Sequence, residues 1–78
     1  MPVLKELSFG QKAVGLTFNP SNNADVQAIK ETYADIIDDL NDYRDAHADP
    51  DIKRLCAVAI TEAQTAQMWA VKAVTWGV

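Results

Sequence analysis

Two lysines that stand apart from other cations are the side chains of this 78-residue chain best placed to bind a ligand. Lys30 is the only basic residue between Lys12 and Arg44, and it lies within one helical turn of Tyr33. An ammonium group beside an aromatic ring can bind a phosphate while the ring stacks on a base. Alternatively, Lys30 extends from an oligomer interface to water, and the spacing alone leaves both interpretations open.

Lys72 has similar surroundings near the other end of the chain. It is the only cation after Arg54, and it lies between Trp69 and Trp76, one turn from Thr75. Indole rings and hydroxyl groups beside a cation also suit a phosphorylated base. Here too the spacing leaves open a lysine that reaches water from an interface between subunits.

No set of residues in the sequence has the spacing of a catalytic or metal site. No Ser/His/Asp combination stands out, and the carboxylates cluster on one exposed-looking face without a buried partner. His47 is the only histidine and Cys56 the only cysteine, which excludes an internal disulfide and a cysteine-based zinc site. We therefore expect a protein that is not an enzyme and that uses neither a metal nor a cofactor.

The two lysines are expected to lie on two long helices. From Ala24 to about Ala46, apolar residues recur every three or four positions, as in a helix laid along another helix. These seam positions are Val26, Ile29, Tyr33, Ile36, Leu40 and Tyr43. The second helix, about 50–76, has Asp49 as a capping residue, Pro50 in its first turn and Gly77 as a natural stop. The short connector between the helices makes them antiparallel.

A stripe of small side chains on the second helix predicts assembly. Its positions are Cys56, Ala59, Ala63, Ala66, Ala70 and Ala73. Such a stripe lets another helix backbone approach closely, and the opposite face lacks the charges typical of a solvated surface. Small scaffolds with this much apolar surface usually need partners. The sequence therefore predicts an all-α helical hairpin, one domain over residues 1–78, that forms a homo-oligomer.

The N-terminal segment, residues 1–23, carries weaker signals. Leu4 and Leu7 suggest one amphipathic turn before the first glycine. A loop rich in turn residues begins at Phe18, which is either a ligand-facing aromatic or a hydrophobic staple onto the next helix. Asn22 and Asp25 resemble a capping box at the start of that helix.

Charge and hydropathy limit the classes of partner. The net charge of −4 argues against a polymeric nucleic acid, which requires clustered cations, but it permits a small anionic ligand. Glu31, Asp35, Asp38, Asp39 and Asp42 are expected to form a solvated face. No stretch approaches the roughly 20 apolar residues of a membrane span, so we expect a cytoplasmic protein without a membrane partner.

The sequence resembles the phage anti-CBASS and anti-Thoeris sponge family in two runs, FNPSNNADVQAIK (18–30) and RLCAVAITEAQTAQMWAVKAVTW (54–76). The most specific parts are Arg-x-x-x-x-Ala-x-Thr near the start of the second long helix and Met-Trp-x-x-Lys-Ala near its end. The resemblance implies small helical proteins that assemble into hexamers and sequester cyclic nucleotide signals in the host cytoplasm.

The resemblance also implies site residues by position. An aromatic before the first long helix and a lysine within it, here Phe18 and Lys30, would hold cyclic dinucleotides. A second pocket for cyclic trinucleotides would use Lys72 and the upstream Thr61 and Thr65, and cyclic ADP-ribose-type signals are further possible ligands. The chain departs from some relatives because Phe18 lacks a tyrosine hydroxyl and Lys72 replaces an arginine, whose bidentate grip on phosphate lysine cannot reproduce.

Two functions from different classes follow from these observations. The first is a non-catalytic sponge that binds a cyclic oligonucleotide or a related signal and withholds it from a host effector. The alternative is a structural or adaptor oligomer whose partner is another protein. The isolated positions of Lys30 and Lys72 favour the sponge, because an adaptor has no evident need for lone cations among apolar and threonine residues.

Overall fold

Three helices make up the fold in the computed structural model, which describes residues 6–77. They are α1 (Phe9–Val14), α2 (Ala24–Ala46) and α3 (Pro50–Val74). The described residues contain no strand, and α2 and α3 form the predicted helical hairpin, with α1 packed mainly on α2. None of the described helices has the length and hydropathy needed to cross a membrane. Leu4 of the predicted N-terminal turn lies outside the described residues.

The long helices begin at side-chain caps. The Asp49 carboxylate accepts a hydrogen bond from the Asp51 N–H, and Pro50 is the first residue of α3. In α2 the cap is Asn23, whose side-chain oxygen accepts from the Asp25 and Val26 N–H groups. The prediction of Asn22 as the cap was wrong by one residue. Asn22 has a φ of 50°, a left-handed conformation that asparagine tolerates in turns, whereas a cap requires extended backbone.

The sequence did not reveal α1 as it stands in the structure. Ser8 and Gln11 form a capping box at its start, each side chain hydrogen-bonding the other residue's backbone N–H. The helix therefore begins at Phe9 and contains Gly10, where the sequence had predicted a turn that ended before this glycine. Gly15 ends α1 in the left-handed conformation, with a φ of 63°, as is common at helix C-termini.

A close backbone contact and one carboxylate fix α1 on α2. A Cβ atom added to Gly10 would collide with the carbonyl of Ala34. Asp38 accepts hydrogen bonds from the Ser8 hydroxyl and the Gly10 N–H, both at 2.6 Å. Asp38 is consequently half-buried and departs from the solvated acidic face predicted for it.

The core lies where all three helices meet. It consists of Val14, Ala34, Ile37 and Ile60, with Ile37 fully buried. The predicted seam of α2 is only partly buried, since Ile36 and Tyr43 remain 45% and 52% exposed. The cause is that α2 packs against both α1 and α3, so its buried face is rotated from the seam towards Ala34 and Ile37.

The small-residue stripe of α3 is unevenly covered within the single chain. Cys56 is buried, and Ala59, Ala63 and Ala70 are half-buried. Ala66 and Ala73 are exposed. Large apolar side chains of α3 are exposed as well, namely Leu55, Val58, Met68 and Trp69. One chain thus leaves much of the surface of α3 open to further contacts.

The anchoring of α1 can be tested by a matched pair of variants. We expect Asp38→Asn to destabilise the fold by about 1–3 kcal/mol. Each carboxylate oxygen of Asp38 accepts one hydrogen bond, from the Ser8 hydroxyl or the Gly10 N–H, and asparagine replaces one of these oxygens with an NH₂ group that cannot accept. The neighbouring Asp39 is exposed, so Asp39→Asn should change stability by less than about 0.5 kcal/mol. Chemical unfolding at fixed protein concentration measures the free energy of unfolding of both variants. Equal stability of the two would show that Asp38 does not anchor α1 on α2.

Candidate functional site

Lys30 is a buried cation that holds a loop against α2. The side chain is 6% exposed, and its Nζ donates hydrogen bonds to the carbonyls of Gly15, at 2.9 Å, and Phe18, at 2.6 Å. The Nζ also lies 5.6 Å from the centroid of the Phe18 ring. Lys30 therefore joins the end of α1 and the following loop to the first turns of α2. The sequence had placed it beside the apolar seam, and the structure buries it because α1 covers that side of the helix.

The partners of Lys30 leave its charge without a counter-ion in the described part of the chain. Both of its hydrogen bonds go to neutral carbonyl oxygens, and no carboxylate is among its partners there. An ammonium group has three N–H donors, so one remains after these two bonds. A cation held in this way favours a nearby anion, since charge-assisted bonds are about twice as strong as neutral ones.

An open groove of about 450 Å³ passes over Lys30 where the three helices meet. Its lining residues are Lys12, Ala13, Val14, Gly15, Lys30, Gln67, Met68 and Val71. We call it the lysine groove, because Lys12 and Lys30 are the charged members of the set. Phe18 is 72% exposed next to Lys30, although it is not a lining residue. Tyr33 instead packs against the core.

A second, smaller groove lies on the surface of α3. It has a volume of about 290 Å³ and is lined by Thr65, Met68, Trp69 and Lys72, and we call it the tryptophan groove. The Lys72 Nζ lies 5.5 Å from the centroid of the Trp69 ring. Thr61 is not a lining residue, but its carbonyl accepts a hydrogen bond from the Thr65 hydroxyl at 3.2 Å. The structure thus brings Lys72 and Thr65 together and leaves Thr61 one turn away.

The two grooves are neighbours that share Met68. Lys30 lines one groove and Lys72 the other, so within one chain the two lysines face adjacent but separate spaces. Met68 is 62% exposed, and its flexible thioether can adapt to different neighbours. Among residues 6–77 no three histidine, cysteine, aspartate or glutamate side chains come together as a metal site.

Comparison with known protein families assigns the chain to a family. The model of the Acb2/Tad1 hairpin domain matches residues 11–75. The chain belongs to the Acb2/Tad1 hairpin family. The match begins within α1 and runs to the end of α3, so it includes every lining residue of both grooves. This confirms the family resemblance seen in the sequence. The chain matches no curated protein and no solved structure.

Two polar lining residues of this Acb2/Tad1 hairpin, Lys12 and Gln67, were not among the site residues predicted from the sequence. Lys12 escaped notice because the N-terminal segment gave no clear helix, and its position depends on α1. Gln67 is 5% exposed and follows Ile60 by seven residues, which places it on the same buried face of α3. A polar residue at a buried helical position is a signal that the sequence did contain.

The structural role of Lys30 gives a prediction about stability. Lys30→Met keeps the apolar stem of the side chain but leaves the Phe18 carbonyl without its donor and the Gly15 carbonyl with only the Phe18 N–H, so we expect a loss of about 1–3 kcal/mol. Lys72 is exposed, and Lys72→Met should change stability by less than about 0.5 kcal/mol. Thermal unfolding of both variants at one protein concentration tests the difference. A Lys30→Met variant as stable as the wild type would show that Lys30 does not hold the loop.

Proposed function

We propose that the protein is a non-catalytic sponge that binds cyclic oligonucleotide immune signals and withholds them from a host effector during phage infection. The observation that carries this proposal is Lys30, a buried ammonium with only carbonyl partners in the described residues, set in an open groove of an Acb2/Tad1 hairpin. The family resemblance indicates the class of ligand, and the groove contains cations that can bind the phosphates of such a ligand.

The lysine groove has the composition that a phosphorylated base requires. Lys12 and Lys30 provide two cations on one surface of a chain whose net charge is −4, so anion binding there depends on local placement. The exposed Phe18 ring, close to Lys30, can stack on a base, a contact that tolerates different bases. The groove volume of about 450 Å³ also falls within the usual range for small-molecule sites.

The proposed mechanism is mass action without a chemical step. A sponge lowers the free concentration of a signal only when its binding sites are as abundant as the signal and its dissociation constant lies well below the signal's working concentration. Such a protein needs tight binding and abundance but no catalytic group. The host cytoplasm, where the signal acts, is the compartment in which the proposal places it.

We further propose that the chain acts as a homo-oligomer, with six subunits as the resemblance implies. The single chain leaves Leu55, Val58 and Trp76 about half to four-fifths exposed, and Ala66 and Ala73 of the small-residue stripe are exposed too. Burial of such side chains against another subunit contributes about 25 cal/mol per Å² of apolar surface. A second subunit beside α3 would also enclose the open grooves.

The tryptophan groove is proposed as the site for larger cyclic trinucleotides. Lys72 and the Thr65 hydroxyl offer charge and hydrogen bonding, and Trp69 offers an aromatic face. Because this groove is separate from that of Lys30, the two ligand sizes would bind independently in one chain. The shared Met68 is the one lining residue that could couple them.

Titration calorimetry with cyclic di- and trinucleotides tests both parts of the proposal. The wild type should bind at least one cyclic dinucleotide tightly, and no heat from any ligand would refute the sponge. Lys72→Ala should keep dinucleotide affinity and lower any trinucleotide affinity at least about tenfold, because a bond to a charged group is lost.

Arg54→Ala serves as the matched control for this experiment. Arg54 is an exposed cation of the same helix, about 27 Å from position 72 at 1.5 Å per residue. Its removal changes the net charge equally, so both affinities should stay at the wild-type level. Light scattering should give the wild-type mass for both variants. A parallel loss of both ligand sizes in Lys72→Ala would indicate one shared pocket.

A further inference from the structure

We propose that Gln67 reads the base of the ligand in the lysine groove and selects adenine. This inference rests on the proposed function and deepens it, because it assigns the base-recognising residue and the preferred base. Gln67 lies in the middle of α3, on its buried face, and lines the groove together with Lys12 and Lys30. Neither the charge pattern nor the isolated lysines point to it.

Gln67 is a buried residue whose carboxamide has no hydrogen-bond partner among the described residues. The residue is 5% exposed, and its side chain makes no hydrogen bond within residues 6–77. Its neighbour Gln64, in contrast, donates to the Ala13 carbonyl at 3.4 Å. No fully enclosed side-chain nitrogen or oxygen of the described residues lacks a partner. The polar atoms of Gln67 must therefore reach the open space of the groove.

The fold of the described residues does not depend on an amide at this position. The polar atoms of Gln67 face the open groove, where water can pair with them in the free protein, so they add no hydrogen bond to the fold. Methionine has a similar length and a high helix propensity, so the helix itself does not require glutamine. A polar side chain that lines a groove and has no partner within the described residues is available to a ligand.

The chemistry of an amide distinguishes a base from a phosphate. Phosphate oxygens only accept hydrogen bonds, so they suit Lys12 and Lys30 but would leave the Gln67 oxygen unpaired. Adenine presents an N6–H donor beside the N7 acceptor, and glutamine matches both with two bonds. Guanine presents two acceptors, N7 and O6, on that edge, so an amide that reads the N7 edge of the base selects adenine over guanine. In the lysine groove the cations therefore bind the phosphates, and Gln67 pairs with an adenine edge.

The test combines a variant with a modified ligand. Gln67→Met should be about as stable as the wild type without ligand, because the amide makes no hydrogen bond within the described residues. Its affinity for cyclic di-AMP should be at least about fivefold lower, the lower limit for loss of a two-bond contact to a base. The 7-deaza analogue of cyclic di-AMP lacks the N7 acceptor. Calorimetry with this analogue should show the same loss of affinity in the wild type and no further loss in Gln67→Met.

Gln64→Met is the matched control, because it removes a paired amide outside the groove. It should keep the wild-type affinity and be no more stable than the wild type.

The outcomes separate this inference from the sponge itself. If the wild type binds cyclic di-AMP and Gln67→Met binds it equally well, the role of Gln67 is refuted and the sponge stands. A wild type that prefers cyclic di-GMP, or that binds the 7-deaza analogue as tightly as cyclic di-AMP, also refutes only the adenine contact. The analogue experiment needs no variant, so it decides the question even if Gln67→Met does not fold. A wild type that binds no cyclic nucleotide refutes both proposals.

Discussion

The buried ammonium of Lys30 is the interaction on which the arrangement of the site depends. Its bonds to the carbonyls of Gly15 and Phe18 join the end of α1, the following loop and the start of α2. The same bonds place the Phe18 ring beside the cation. One side chain therefore stabilises the loop and positions the groove. A bound anion would add a charge-assisted hydrogen bond to the two that Lys30 already makes.

The lysine groove exists because α1 is fixed on α2. Asp38 and the close approach of Gly10 to Ala34 hold α1 in place, and α1 in turn brings Lys12 to the groove. In the proposed complex, the two buried polar residues divide the recognition of the ligand. Lys30 suits phosphate, and Gln67 suits a base. An acidic chain can thus bind an anion through a few placed groups, which agrees with its expected lack of affinity for polymeric nucleic acid.

Features fixed by local chemistry were predictable from the sequence, and features fixed by contacts between distant residues were not. The Asp49 cap and the apolar periodicity predicted the hairpin, although the cap of α2 was placed one residue too early, and two short runs indicated the family. The helix α1 depends on a capping box whose docking partner, Asp38, is about thirty residues away, so Asp38 looked like any other surface carboxylate. The environment of Lys30 likewise depends on where α1 ends. Gln67 was detectable from its position seven residues after Ile60, whereas the oligomer and the ligand roles of Phe18, Thr65 and Lys72 remain predictions.

A non-catalytic sponge retains its ligand without changing it, and one measurement tests both properties. The protein is incubated with an equimolar amount of the cyclic dinucleotide, the mixture is filtered, and the retained fraction is denatured and analysed by mass spectrometry. We expect almost all of the nucleotide to stay with the protein and to be recovered in its intact cyclic form. Nucleotide that passes freely through the filter, or that is recovered as a linear product, would contradict a non-catalytic sponge.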